Sequence, residues 1–129
     1  MRRFFESYAT DNLTLLRTEV LAPDAAWCVP GRHPLAGCHR GVDDIVSFYR
    51  RLALADLRNE PLYLTADDQR VVEVCRSWSD RSGGLDTTWV TVYRIDDGRI
   101  VQAQHFVSDH GHADEFFCDI YAAAPAMTD

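Results

Sequence analysis

Along the first half of the chain, apolar residues recur at helical spacing. Phe4, Phe5 and Tyr8 form one short stripe, and Leu13, Leu16 and Val20 form a second behind Thr10 or Asp11 as its cap. Ala22-Pro23-Asp24 ends that helix, Ala25 to Val29 reads as a strand, and a turn-rich loop with Pro30-Gly31, Pro34 and Gly37 runs to Arg40. Gly41 then opens a helix with the inner stripe Val42, Ile45, Phe48 and Tyr49, which reaches about Ala55 before Arg58-Asn59-Glu60-Pro61 breaks the pattern. From Leu62 onward the period becomes two. Segments at 62–66, 70–80, 85–95 and 99–108 are rich in Val, Thr, Trp and Tyr, and Asp67-Asp68, Ser82-Gly83-Gly84 and Asp97-Gly98 lie between them, as hairpin turns require. A last helix from His112 to about Tyr121 buries Phe116, Phe117 and Ile120, and residues 122–129 read as a flexible tail after a single domain over 1–121. Helices followed by a meander define an α+β domain, with a strongly curved antiparallel sheet covered on one side by helices.

Composition narrows the chemistry. At 129 residues with 47% apolar and 26% charged positions, the chain has the makeup of an ordinary soluble globular domain, and no apolar run approaches a membrane span. The Met1-Arg2-Arg3 start lacks a long apolar stretch and a cleavage site, which predicts a cytoplasmic protein. A net charge of −7 argues against a nucleic-acid partner. All 13 basic residues are Arg, so Schiff-base, pyridoxal-phosphate and phosphate-loop lysine chemistry is impossible. Cys28, Cys38, Cys75 and Cys118 show neither Cys-x-x-Cys nor zinc spacing and read as reduced, mostly core thiols.

Strand alternation predicts which side chains meet. If Gly83-Gly84 forms a two-residue turn that pairs Ser82 with Leu85, then Val72, Val74, Arg76 and Trp78 share a face with Thr87, Trp89, Thr91 and Tyr93. Ala103, His105, Val107 and Asp109 join that face from the last strand. The strand, loop and helix between Ala25 and Arg51 form a further wall, to which Trp27, His33, Phe48 and Tyr49 belong. Such a cavity suits a hydrophobic or conjugated small molecule.

The order AAWCVPGRHPLAGCHRGVDDIVSFYRR, from Ala25 to Arg51, together with Gly98-Arg99-Ile100 and Gln104 to Ser108, resembles the ketosteroid-isomerase and SnoaL-like polyketide-cyclase branch of the nuclear-transport-factor-2-like superfamily. The resemblance implies a cone-shaped barrel with an apolar ligand cavity and a homodimer formed through the exposed sheet face, and the preferred reading is a cofactor-free cyclase or isomerase of small-molecule biosynthesis that works by acid–base catalysis. The resemblance also implies a catalytic position at Asp109 and an inward Tyr at Tyr49. The isomerase positions themselves are occupied by other residues. Its general-base Asp falls on Val29, its oxyanion Tyr on Phe4 or Phe5, and its protonated Asp on Thr91, which favours the cyclase reading over the steroid isomerase.

The residues that carry the predicted chemistry are therefore His105, Asp109 and Tyr49. His105 titrates near neutrality and moves the proton, Asp109 orients it or acts as the acid–base group, and Tyr49 donates to a developing oxyanion. Trp78, Trp89, Arg76, Thr91, Tyr93, Val107, Trp27, His33 and Phe48 contact the ligand. For Asp109 a helix N-cap is an equal reading. Asp109-His110-Gly111-His112-Ala113-Asp114-Glu115 superficially matches a metallo-hydrolase run, but Glu115 replaces its final His and no second ligand set follows, so no metal is expected. Two other functions stay open. One is a non-catalytic ligand-binding or dimerising module, and the other is an epoxide hydrolase, for which Arg76 and Asp109 supply part of an Asp-Arg-Asp set.

Overall fold

The computed structural model describes residues 20–81 and 83–122; the helices expected over the first 19 residues and the tail from residue 123 lie outside that range. Six strands form one curved, unclosed sheet in the order β2-β1-β6-β5-β4-β3. They are β1 (Leu21–Val29), β2 (Gly37–Arg40), β3 (Arg58–Ala66), β4 (Arg70–Ser79), β5 (Leu85–Asp96) and β6 (Arg99–Val107). Helix α1 (Val42–Leu52) with a 3₁₀ turn (Ala53–Ala55), and helix α2 (His110–Ala122), complete the α+β domain. No described helix is long and apolar enough to cross a membrane.

Local chemistry explains most boundaries. Gly41 precedes α1 at φ 83°, a conformation open to glycine, and its N–H donates to the Ala25 carbonyl. Asp43 and Asp44 then sit in the first turn and Arg50 and Arg51 in the last, which complements the helix dipole. Asp97-Gly98 makes a two-residue hairpin with both residues at positive φ, pairing Asp96 with Arg99. The Asp67 carboxylate accepts the N–H groups of Gln69 and Arg70, both at 2.8 Å, and closes the β3–β4 turn.

The structure departs from the sequence-based expectation at five points. Ala22-Pro23-Asp24 lies inside β1 instead of ending a helix; Pro23 and Asp24 are exposed, and the β1–β6 register shifts between Leu21 and Ala26, where a bulge accommodates the proline. The β1–β6 pair is parallel, so the sheet is not wholly antiparallel. Residues 37–40, expected as loop, form the edge strand β2, and Arg58 to Pro61 begin β3 because that strand lies at the opposite edge, where a proline is tolerated. Cys28 and Cys38 are disulfide-bonded, because the β1–β2 register places them opposite each other; Cys75 and Cys118 are free, and Cys118 is exposed.

The core lies on the inner face of the sheet. Trp27 is fully buried at its centre, edge-on to Tyr49 at 5.5 Å and Tyr93 at 5.7 Å, while Ile45 and Phe48 of α1 and Phe116, Phe117 and Ile120 of α2 close the layer above.

Candidate functional site

Between the sheet and its helical cover lies a cavity of about 460 Å³. One wall is apolar, built from Val29, Leu35, Phe48, Leu52, Leu57 and Phe117. The other is the inner face of β3 to β6, where Asn59, Glu73, Cys75, Ser77, Thr91, Tyr93 and His105 bring polar groups into an otherwise aromatic surface with Trp89. This division of an apolar body and a few fixed polar atoms is the arrangement that orients a small, flat, partly oxygenated ligand.

The β4–β5 register decides which β4 residues line that wall. Ser79 pairs with Leu85, leaving a five-residue loop, 80–84, in place of a two-residue turn. Relative to the expected pairing of Ser82 with Leu85, the shift is odd, so every β4 side chain changes face. Val71, Glu73, Cys75, Ser77 and Ser79 now share the interior with Thr87, Trp89, Thr91 and Tyr93. Glu73 stands opposite Thr91, and the Tyr93 hydroxyl donates to its Oε1 at 3.2 Å. Burial raises the Glu73 pKa, and the Tyr93 hydrogen bond offsets only part of that rise. The Cys75 thiol is pushed up as well, by burial first and then by the Glu73 charge. Ser77 Oγ donates to Asn59 Oδ1 at 2.6 Å, tying β4 to β3 at the cavity floor.

His105 occupies the interior, but both ring nitrogens are engaged. Trp27 Nε1 donates to His105 Nε2 at 2.8 Å, and Nδ1 lies 3.2 Å from Thr91 Oγ1. An indole N–H can only donate, so Nε2 holds the lone pair and Nδ1 carries the proton, which it gives to Thr91. Enclosure by protein lowers the His105 pKa to about 4. His105 is half-buried and lines the cavity. A neutral imidazole with its lone pair held by Trp27 has no free site for accepting a substrate proton.

His33 enters from the loop between β1 and β2. Its Nδ1 accepts the Leu35 N–H at 3.2 Å, its ring lies 4.8 Å from that of Phe117, and its Nε2 is buried without a partner of hydrogen-bond geometry. Desolvation lowers its pKa, against the opposing influence of Asp114 and of the Pro30 carbonyl. Among the described residues, no group of three or more His, Cys, Asp or Glu side chains is placed to hold a metal ion.

Comparison with known proteins fits this geometry. Residues 1–103 match the model of the SnoaL-like domain. The chain belongs to the SnoaL-like family. The uncharacterized protein Rv0034 of Mycobacterium tuberculosis is 32% identical over 122 residues, 91% of this chain and 92% of the relative. Among solved structures, Bal32a from a soil-derived mobile gene cassette superposes with a TM-score of 0.80 at 27% identity, over 90% of this chain and 92% of that one. Protein SMa1630 of Sinorhizobium meliloti, a candidate polyketide cyclase, gives 0.67 at 25% identity, over 81% and 90%. The fold is the nuclear-transport-factor-2-like cone.

Within this SnoaL-like frame, the structure brings Tyr49, His33, Phe48, Trp89, Thr91, Tyr93 and His105 to the cavity. It does not bring Arg76 or Trp78 there. The odd register shift turns both outward, where Arg76 makes a two-bond ion pair with Asp86 and its guanidinium lies 4.8 Å from the Trp78 ring centroid. Asp109 is exposed and caps α2, its Oδ1 accepting the His112 N–H at 3.1 Å, so it neither orients His105 nor reaches the cavity. Without Arg76 and Asp109, the partial epoxide-hydrolase set is also lost. Val107 shares the inner parity, opposite Trp89, but lies beyond the cavity lining; Trp27 lies behind it, supporting His105. Asn59 reaches the cavity because β3 begins at Arg58, before the expected Leu62, whereas a two-residue β4–β5 turn predicts outward positions for Glu73, Cys75 and Ser77. Their small or polar side chains at alternate positions of a Val-rich strand were the available sign of a cavity floor.

Proposed function

We propose that this chain is a cofactor-free isomerase or cyclase acting on a hydrophobic, conjugated carbonyl compound of the polyketide type, with Glu73 as the group that moves the proton. The single observation that carries this reading is a carboxyl set into an apolar cavity, its basicity raised by burial and its position held by the Tyr93 hydroxyl. In the ionised form, Glu73 takes a proton from a carbon next to the carbonyl, and the electron pair moves onto the carbonyl oxygen. The enolate is then reprotonated by Glu73 at another carbon, or its carbon attacks a second carbonyl and Glu73 protonates the resulting alkoxide. Tyr49, at the cavity wall, is the proposed donor to the enolate oxygen. His105 becomes a positioning residue that fixes the Thr91 hydroxyl opposite Glu73. Trp89, Phe48 and Phe117 hold the faces of the ligand.

The likeness to a candidate polyketide cyclase supports the substrate class. The test is deuterium uptake at acidic C–H positions of apolar cyclic ketones and 1,3-diketones incubated with the protein in D2O. Glu73→Gln is expected to lower the rate by roughly 10²–10⁴-fold while leaving affinity for the same ketones within a few-fold. Exchange that persists undiminished in Glu73→Gln overturns the assignment.

The commitment of both His105 nitrogens favours one competing reading, a binding module without turnover. It predicts tight binding of the same compounds with no catalysed exchange in the wild type. We further propose that the protein works in the cytoplasm as a homodimer formed through the outer face of the sheet.

A further inference from the structure

The loop that brings His33 and Leu35 to the cavity, beside Val29 at the end of β1, is closed at its base by a covalent bond. Residues 30–36 connect β1 to β2, and the Cys28–Cys38 bridge joins the two strands on either side, ten positions apart. Strand β2 has four residues and, among the described residues, lies at the sheet edge with β1 as its only sheet neighbour. Apart from the fully buried Leu35 side chain, the loop's other tethers are individually weak. Arg32 N–H donates to Asp114 Oδ1 at 2.9 Å in an exposed position, the Arg51 guanidinium reaches the Pro34 carbonyl at 3.3 Å, and the His33 ring rests on Phe117. Gly31 and Gly37, at φ 113° and 105°, mark two points where the backbone has wide conformational freedom once released.

We propose that the Cys28–Cys38 bridge is a redox catch on this loop, holding His33 and Leu35 against the cavity when oxidised and freeing them when reduced. Cys38 is exposed while Cys28 is buried, so an external dithiol reaches the bridge from the edge strand. One reductant thiolate attacks the Cys38 sulfur, the S–S bond breaks, and Cys28 leaves as a thiolate that takes up a proton. The second reductant thiol then displaces Cys38 and takes the reductant to its cyclic disulfide, so two electrons pass to the protein. Bridges in reducing compartments are made and broken in this way, whereas structural ones persist in oxidising surroundings.

Hydrogen exchange read by mass spectrometry on the full chain tests the catch without requiring turnover. Thiol titration of the denatured protein is expected to give two thiols before reduction, from Cys75 and Cys118, and all four of the chain after it. With dithiothreitol, amides of residues 29–37 are expected to exchange at least about tenfold faster while those of β4 to β6 stay unchanged. Cys38→Ser is expected to reproduce this pattern without reductant, and the wild type with dithiothreitol gives the same readout should that variant fold poorly. Three results overturn the proposal: loop exchange that ignores reduction, exchange that rises throughout the sheet, or four titratable thiols after equilibration with glutathione disulfide.

Discussion

His105 shows how a residue type that is right for chemistry can be placed where it cannot perform it. Its ring is inside the cavity, but Trp27 occupies the one lone pair a neutral imidazole offers. Its stability contribution has a definite sign. The folded pKa, about 4, lies below the ordinary 6.5, so the unfolded chain binds the proton first as pH falls, and folding weakens between pH 6.5 and pH 4. From pH 7 to pH 5 this one ring is expected to remove about 2 kcal/mol of folding free energy. Urea unfolding at the two pH values checks it against His105→Gln, which keeps an acceptor for Trp27 and does not titrate. The variant should lose about 2 kcal/mol less than the wild type over that interval, and equal losses would refute the buried-neutral assignment. Glu73 presents the opposite case, a residue whose type signalled nothing because its placement depends on a turn length.

At the scale of elements, legibility followed the strength of local signals. The β5–β6 hairpin was readable because Asp97-Gly98 fits one turn geometry, and its register brings His105 opposite Thr91. The β4–β5 connection offered Gly83-Gly84 inside a longer polar stretch, where a two-residue and a five-residue turn are equally written, and an odd difference reversed the face of β4. The edge strands β2 and β3 were hard to read because an edge tolerates exposed and proline-containing sequences that carry no alternation. The disulfide likewise depends on the β1–β2 register and not on Cys spacing. The loop between these strands yields a paired prediction. Gly31 and Gly37 both have positive φ, but a Cβ at Gly31 would collide with the Asp114 carboxylate that receives the Arg32 N–H, whereas nothing lies within 4 Å at Gly37. Thermal and urea unfolding are expected to show Gly31→Ala costing at least about 1 kcal/mol more than Gly37→Ala, since only the former adds a lost hydrogen bond to the backbone strain. Equal costs would mean that Asp114 moves aside freely.

For the whole molecule, the same register that sets Glu73 inward builds an apolar row outward. Tyr63 pairs with Val74, Val74 with Val90, and Val90 with Phe106, so one line of side chains crosses four strands on the face away from the cavity. Tyr63 is 74% exposed and Phe106 52%, and Val72 and Val92 flank the row as a second pair. An apolar line at the centre of a sheet face, bordered by Arg76, Asp86, Arg94 and Gln102, has the anatomy of an interface with a hydrophobic middle and a charged rim. The homodimer proposed above places this row at its centre, which also protects the face from non-specific association. A single charge there is costly because it is desolvated without a partner on both sides of a two-fold axis. Phe106→Asp is therefore expected to convert a dimer to a monomer in light-scattering chromatography at micromolar concentration, with the cavity and its ketone affinity retained. A wild type that elutes as a monomer, or a Phe106→Asp variant that remains dimeric, would move the interface elsewhere or remove it.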